Sequence, residues 1–296
     1  MNTLRYSLGE LMQENKIATR FAPSPSGHLH LGHAYSAMFA ENAAREQDGR
    51  FLLRMENIDQ GRCRPVYEES IKEDLDWLGL NWEKPVRRQS DHIDDYKAVL
   101  ETLNQKEILY PCFCARKDVM LEIERAANAP HEVTHASVGP LYPGTCRSLS
   151  LDERETRIAA KEAFSLRLNV GRAQTLVGDI QWRDLNKGIV HAQPQIFGDM
   201  VLARKDTPTS YHLSVTVDDF LQKVSLVTRG EDLQLVTHIH CLLQALLGYE
   251  APDYRFHPLL IGEDGRRYSK RNTSVTLKSL RNSGKTPSDI REMVGM

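Results

Sequence analysis

A chain of 296 residues, 41% hydrophobic and 26% charged, has enough apolar content for a sizeable core in one large domain or two ordinary ones. Its net charge of −2 excludes a global basic field, so any nucleic-acid contact has to come from a local patch. Residues 1–16 carry acids and no long apolar run, which argues against a signal peptide or membrane span and for the cytoplasm; five cysteines are too few for a disulfide scaffold.

The first strong pattern is Ile17–Ala22, an apolar run that reads as a strand. Pro23-Ser24-Pro25 and a short loop with Gly27 follow, and then Leu31, Ala34, Tyr35, Met38 and Phe39 fall on helical spacing to about Gln47. Strand, tight loop and helix start together aim amide N–H groups and a positive dipole end at an anion. Pro23 and Pro25 stiffen that loop, Gly32 carries no Cβ to block a ligand, and His30 and His33 can hydrogen-bond to phosphate or sugar oxygens. An anionic nucleotide suits this geometry best, although His-x-x-His alone is more often a surface or packing pair than a ligand pair, and a zinc pair is the other alternative, at a spacing less usual than i, i+4.

Gly49-Arg50 turns the chain into a second strand, Phe51–Met55, which delivers Glu56 at its C-terminal end. Ligands of doubly wound sheets sit beyond the carboxyl ends of strands, so Arg20, Ser24 and Glu56 are expected in one crevice. An isolated Glu56 would more simply be a cap or a partner for Arg54. Pro65–Leu78 is an amphipathic helix with Gly79 after its end, and His92–Lys106 is another; both read as scaffold, with Trp77 and Trp82 in the core.

Composition changes at Tyr110-Pro111. Cys112, Cys114 and Cys146 fall in one window, with a helical run to about Ala127 between them, and a soft thiolate set suits zinc better than calcium or magnesium. Spacing leaves the fourth ligand open among His131, His135, Tyr142 and water, and reduced cysteines without metal are the simpler alternative. Cys63 and Cys241 read as ordinary thiols. Leu151–Ala163 is expected to be helical and Phe164–Val170 a strand, with Thr175–Ile180 and Ile189–Gln193 as further strands of the same block. Four segments are therefore expected: 1–110 and 196–262 as halves of a nucleotide-binding domain, 111–195 inserted between them, and 263–296 as a loop and tail.

The core restarts at Phe197–Leu202, and Tyr211 follows, by itself as good a core aromatic as a ligand contact. A strand at Val224–Thr228 ends in Arg229-Gly230-Glu231-Asp232-Leu233, opening a helix through Leu247. Arg229 can grip a carboxylate with a bidentate fork, while Glu231 or Asp232 can cap the helix. After an apolar strand at Leu259–Ile261 comes a basic loop with Ser269 and Lys270. Alone it would be a solvated face; beside a nucleotide it can close over phosphate.

These strings carry a resemblance. Arg20–Pro25 with His30-Leu31-Gly32-His33 resembles the ATP-binding signature of class I aminoacyl-tRNA synthetases, in the glutamyl and glutaminyl branch. RMENIDQGR (54–62) resembles a second block with a Glu-Asp-Thr-Asp core, with Asn57 and Ile58 in place of Asp and Thr. Arg267-Tyr268-Ser269-Lys270-Arg271 resembles the Lys-Met-Ser-Lys-Ser signature and departs from it at the first, second and fifth positions. Cys112-x-Cys114 with Tyr142-x-x-x-Cys146 is similar to the zinc site of the glutamyl-queuosine synthetase family, and the likeness covers about residues 17–290.

The resemblance implies an α/β fold: a class I synthetase Rossmann-like parallel sheet interrupted by a zinc-containing insertion, with a short C-terminal helical tail and no anticodon-binding domain. It implies activation of L-glutamate by ATP and transfer to the queuosine base in the anticodon loop of tRNA(Asp). Arg20, Ser24, Glu56, Tyr211 and Arg229 would bind glutamate. Pro23, His30, Gly32, His33, Glu231, Ser269 and Lys270 would bind ATP, with His30, His33 and Lys270 catalytic. Structural Zn2+ would sit on Cys112, Cys114, Tyr142 and Cys146, Mg2+ would accompany ATP, and the protein would be a monomer. Competing readings are a compact conventional synthetase charging the tRNA 3′ end, a non-catalytic glutamate- or RNA-binding paralogue, and an unrelated nucleotidyltransferase.

Overall fold

The computed structural model describes residues 16–115, 117, 141–260 and 275–296. Strands β1 (Ala18–Phe21), β2 (Arg50–Met55) and β3 (Glu83–Arg88) run parallel in that order. β1 and β2 are buried almost throughout, as parallel strands covered on both faces must be. The helix Leu31–Arg45 crosses between them and buries Leu31, Ala34, Ala37, Met38 and a run of further alanines, small enough to let it lie close on the sheet. β3 has the sequence EKPVRR and is half exposed. Its charge and Pro85 hid it from hydropathy patterning, and both are features of an edge strand.

Seven more strands follow among the described residues: β4 (Leu109–Cys112), β5 (Ser165–Leu168), β6 (Gln181–Asp184), β7 (Gly188–His191), β8 (Met200–Ala203), β9 (Leu226–Gly230) and β10 (Asp253–His257). β4, β5 and β8 form an antiparallel sheet in the order β4-β5-β8. β9, β10 and β6 run parallel, with β7 antiparallel at the edge. The two parallel groups meet at β1 and β9. The Ser225 amide donates to Ala18 O at 3.0 Å, and Arg20 Nη1 donates to Thr228 O at 3.1 Å. Their carboxyl ends therefore open onto one crevice, where an α/β sheet places its ligand.

Three sequence expectations need correction. Thr175–Ile180 is not a strand: Val170–Val177 is helical, capped by the Asn169 side chain on the Arg172 amide and ended at Gly178, whose φ is 73°. Val170 and Ala173 bury at a helical interval, so cap and stop signals outweigh the β-branched residues between them. The hairpin β6–β7 does not extend the β4-β5-β8 sheet but hydrogen-bonds to β10. The apolar pair Leu259-Leu260 is not strand either; the strand is the more polar Asp253–His257 just before it. The helical run expected up to Ala127, His131, His135, Ser269 and Lys270 lie outside the described residues.

The tail forms two helices, Leu277–Asn282 and Pro287–Val294, as the sequence suggested. Leu277, Leu280, Ile290 and Val294 bury in the same cluster as Leu29, Leu31 and Leu78. Arg281 Nη1 donates to Glu73 O and Arg291 Nη2 to Leu78 O, both at 3.1 Å. These two basic side chains are thus engaged in docking the tail against the first half of the chain.

Candidate active site

The crevice is a cleft of about 520 Å³. Arg20, Ser24, Glu56, Tyr211 and Arg229 line it, and so do Pro23, His30, Gly32 and His33. Glu231 is not among the lining residues; its neighbour Asp232 is. Leu260 also lines the cleft, and Thr276 forms an antiparallel bridge with His30. Both anchors of the segment carrying Ser269 and Lys270 therefore sit at this cleft.

Beneath the glutamate-type residues lies a web of buried charge. Asp219 Oδ1 accepts from Arg20 Nε at 3.0 Å and from Arg54 Nη1 at 2.8 Å. Arg54, wholly buried, also donates to Glu56 Oε1 at 3.2 Å and to Gln222 Oε1 at 3.0 Å. Glu56 is thus indeed a partner of Arg54, and it lines the cleft as well. Burial pushes the Glu56 pKa upward against the pull of Arg54 and Arg20. Burial also raises Asp219, but Arg20 and Arg54 outweigh it and leave that carboxyl lowered. A second buried acid, Asp218, accepts from Arg87 Nε at 2.7 Å, Gln89 Nε2 at 2.8 Å and Tyr96 Oη at 2.9 Å. Asn57, which departs from the acidic signature, donates to Glu68 and Ser90 and accepts from the Ser90 amide. An amide can do both; a carboxylate could only accept.

The helix start differs from the simple anion cradle that the sequence suggested. His30 Nδ1 accepts from the Gly32 amide at 3.1 Å, and His33 Nδ1 accepts from the His30 amide at 3.2 Å. The His33 and Ala34 amides both turn to His30 O. Several first-turn donors are therefore taken by a histidine capping box rather than offered to a ligand. Because each Nδ1 accepts, each ring carries its proton on Nε2, and the two imidazoles, 3.8 Å between centroids and tilted by 36°, can donate to anionic oxygens.

Sequence reasoning missed several lining residues, among them Ser36, Thr228 and His257. Ser36 Oγ pairs with His257 Nε2 at 3.0 Å, and His257 Nδ1 donates to Pro258 O at 2.9 Å. Burial holds the His257 pKa below the usual imidazole range. His257 ends β10, and its signal was masked by the apolar pair just after it.

In the β4-β5-β8 region the sulfurs of Cys112, Cys114 and Cys146 lie within 4.8 Å of one another. Tyr142 Oη is 3.5 Å from Cys112 Sγ and 3.6 Å from Cys114 Sγ, and it accepts the Cys146 amide at 2.8 Å. Ligands about 2.0–2.3 Å from a tetrahedral zinc stand about 3.5–3.8 Å apart, so this donor set fits that ion. The Arg167 guanidinium lies 3.8 Å from the Tyr142 ring centroid, which favours negative charge on the phenol. Without a cation, burial pushes the Cys114 thiol up to about 12 and the Tyr142 phenol upward too, so metal binding must release protons.

With this geometry in place, the family model for the catalytic domain of class I tRNA synthetases (E and Q) matches residues 16–296. The chain belongs to that family. A glutamyl-Q tRNA(Asp) synthetase of Rhodobacter capsulatus is 44% identical over 287 residues, 95% of this synthetase and 100% of the relative. One from Symbiobacterium thermophilum is 40% identical, covering 93% and 84% respectively. A glutamate–tRNA ligase of Aquifex aeolicus is 37% identical, and this synthetase spans 55% of its length. Among solved structures, a glutamate tRNA ligase from Elizabethkingia meningosepticum in complex with its amino acid superposes with a TM-score of 0.78 at 26% identity. The match covers 95% of this synthetase and 61% of that ligase. Among the described residues no helix is long and apolar enough to cross a membrane.

Proposed function

We propose that this synthetase activates L-glutamate with ATP and transfers the glutamyl group to the queuosine base of tRNA(Asp). The observation that carries the reading is the convergence of Arg20, Arg229, Glu56 and Tyr211 beside His30 and His33 in one cleft. Two guanidinium groups match the two carboxylates of glutamate, and Glu56 is the natural acceptor for its ammonium. Leu233, Leu259 and Leu260 give the cleft an apolar lining suited to a purine. Asp232, or Glu231 beside it, suits the ribose hydroxyls.

A glutamate carboxylate oxygen attacks the α-phosphorus of ATP, forming the acyl–phosphate bond and releasing pyrophosphate. The imidazole Nε2–H groups of His30 and His33, with Lys270 and Ser269, stabilise charge on the phosphates. Mg2+ bound with ATP supplies neutralisation of the leaving group. A hydroxyl of the queuosine cyclopentene diol then attacks the adenylate carbonyl, and AMP leaves. The enzyme is read as a cytoplasmic monomer.

Labelled glutamate, ATP and tRNA(Asp), with or without queuosine and with or without the terminal adenosine, test the acceptor. Labelling that requires queuosine and ignores the 3′ terminus is expected; labelling lost with the terminal adenosine would make this a conventional charging enzyme. The sulfur cluster supports a structural zinc that cross-links β4 to the turn at Cys146. One zinc per chain is expected by elemental analysis. Cys146→Ser should lose the metal and several degrees of thermal stability, while glutamate-dependent pyrophosphate exchange persists below the melting range.

A further inference from the structure

Two histidines that neither the sequence patterning nor the mechanism above uses lie directly behind Arg229. Arg229 Nη1 is 3.2 Å from His240 Nδ1, and Arg229 Nη2 donates to Thr237 Oγ1 at 2.5 Å. His240 Nε2 is in turn 3.2 Å from His212 Nδ1. The roles follow from chemistry. A guanidinium only donates, so His240 Nδ1 must accept; the proton of His240 then sits on Nε2 and donates to His212 Nδ1. The direction of every hydrogen bond in the chain Arg229–His240–His212 is thereby set. Burial is the main cause that keeps both rings neutral, aided by the Arg229 charge: it holds His212 at about 4 and His240 well below the usual imidazole value.

Each Nη atom of Arg229 bears two hydrogens, and this arrangement takes one from each, leaving one on each nitrogen for a ligand. The aromatic rings of Tyr254 and Phe256 lie 5.3 and 5.7 Å from the guanidinium carbon, and Arg229 itself is buried except where it lines the cleft. Rotation of the fork about its stem is the freedom that packing against flat rings leaves open. A hydrogen-bond acceptor of fixed orientation removes it.

We propose that His240, oriented by His212, is a positioning residue that fixes the Arg229 fork for a substrate carboxylate and so sets the affinity for glutamate. The proposal rests on the reading of Arg229 as a glutamate ligand. A group that acts only in glutamate binding shifts KM for that substrate and leaves the chemical step alone.

The test is glutamate-dependent pyrophosphate exchange, with KM for glutamate and for ATP measured separately and folding followed by thermal melting. His240→Leu is expected to raise the glutamate KM at least 10-fold, with the ATP KM and the saturated rate within about 3-fold of wild type. His240→Asn, which offers an acceptor to Arg229 and a donor to His212, is expected to recover most of the loss; a purely structural role predicts no such rescue. Should His240→Leu not fold, His212→Phe keeps a ring and removes the acceptor of the His240 proton together with the Nε2–H, and a several-fold rise in glutamate KM is expected. Arg229→Lys separates the two levels. If it raises the glutamate KM while the histidine variants do not, the positioning role is overturned and the glutamate reading stands. If Arg229→Lys leaves the glutamate KM unchanged, both fall.

Discussion

Arg54→Met is expected to cost about 3–5 kcal/mol of folding stability, the range for removing one partner from a buried ion network. The substitution retains much of the stem volume but leaves Glu56, Asp218 and Asp219 around a site from which a wholly buried cation has gone. Arg20 and Arg87 still serve the two aspartates, so Glu56 is left most exposed to the loss. Urea unfolding at neutral pH measures the effect, and a change below 1 kcal/mol would refute it. The pH dependence has a defined sign. Asp219, held below the ordinary carboxylate range despite burial, contributes stability above that range and loses it as the pH falls through its lowered value. Glu56, raised by burial, is a cost near neutrality that protonation relieves. Both make the deficit of the variant narrow as the solution is acidified.

Lys270→Ala is expected to lower glutamate-dependent pyrophosphate exchange by about 10²–10³-fold, the usual consequence of deleting one donor aimed at charge that develops in a transition state. The two residues that flank its segment, Leu260 in the cleft wall and Thr276 bridged to His30, both lie at the cleft. Melting should be unchanged. Exchange at the wild-type rate in a folded variant would remove Lys270 from the mechanism.

The parts of the site legible in the sequence are those set by local chain geometry. A strand running into a stiffened loop located Arg20, Ser24, His30 and His33; another strand end located Glu56, and a third Arg229. The Cys112, Cys114, Tyr142 and Cys146 cluster was legible as spacing together with resemblance. What stayed hidden depends on partners distant in the chain. Arg54 reads as an ordinary strand cation until Asp219, 165 positions away, meets it in the core. Asp218 and Asp219 interrupt an apolar helix and look like a solvent edge, yet both are buried. At Thr175–Ile180 the reverse holds: the local cap at Asn169 and stop at Gly178 outweigh a short β-branched run. The histidine capping box was hidden because capping boxes are ordinarily read from hydroxyl and acidic side chains, not from imidazoles.

One carboxylate oxygen, Oδ1 of Asp219, serves the guanidinium groups of both Arg20 and Arg54. Charge at these positions therefore cannot drift singly: any lone substitution strands a counter-charge in a dry interior. Divergence toward other amino-acid side chains would have to proceed through the uncharged walls of the cleft, Val215 and Thr228, where a changed volume disturbs no ion pair. The electrostatic frame acts as an evolutionary ratchet, leaving size and shape as the variables open to selection.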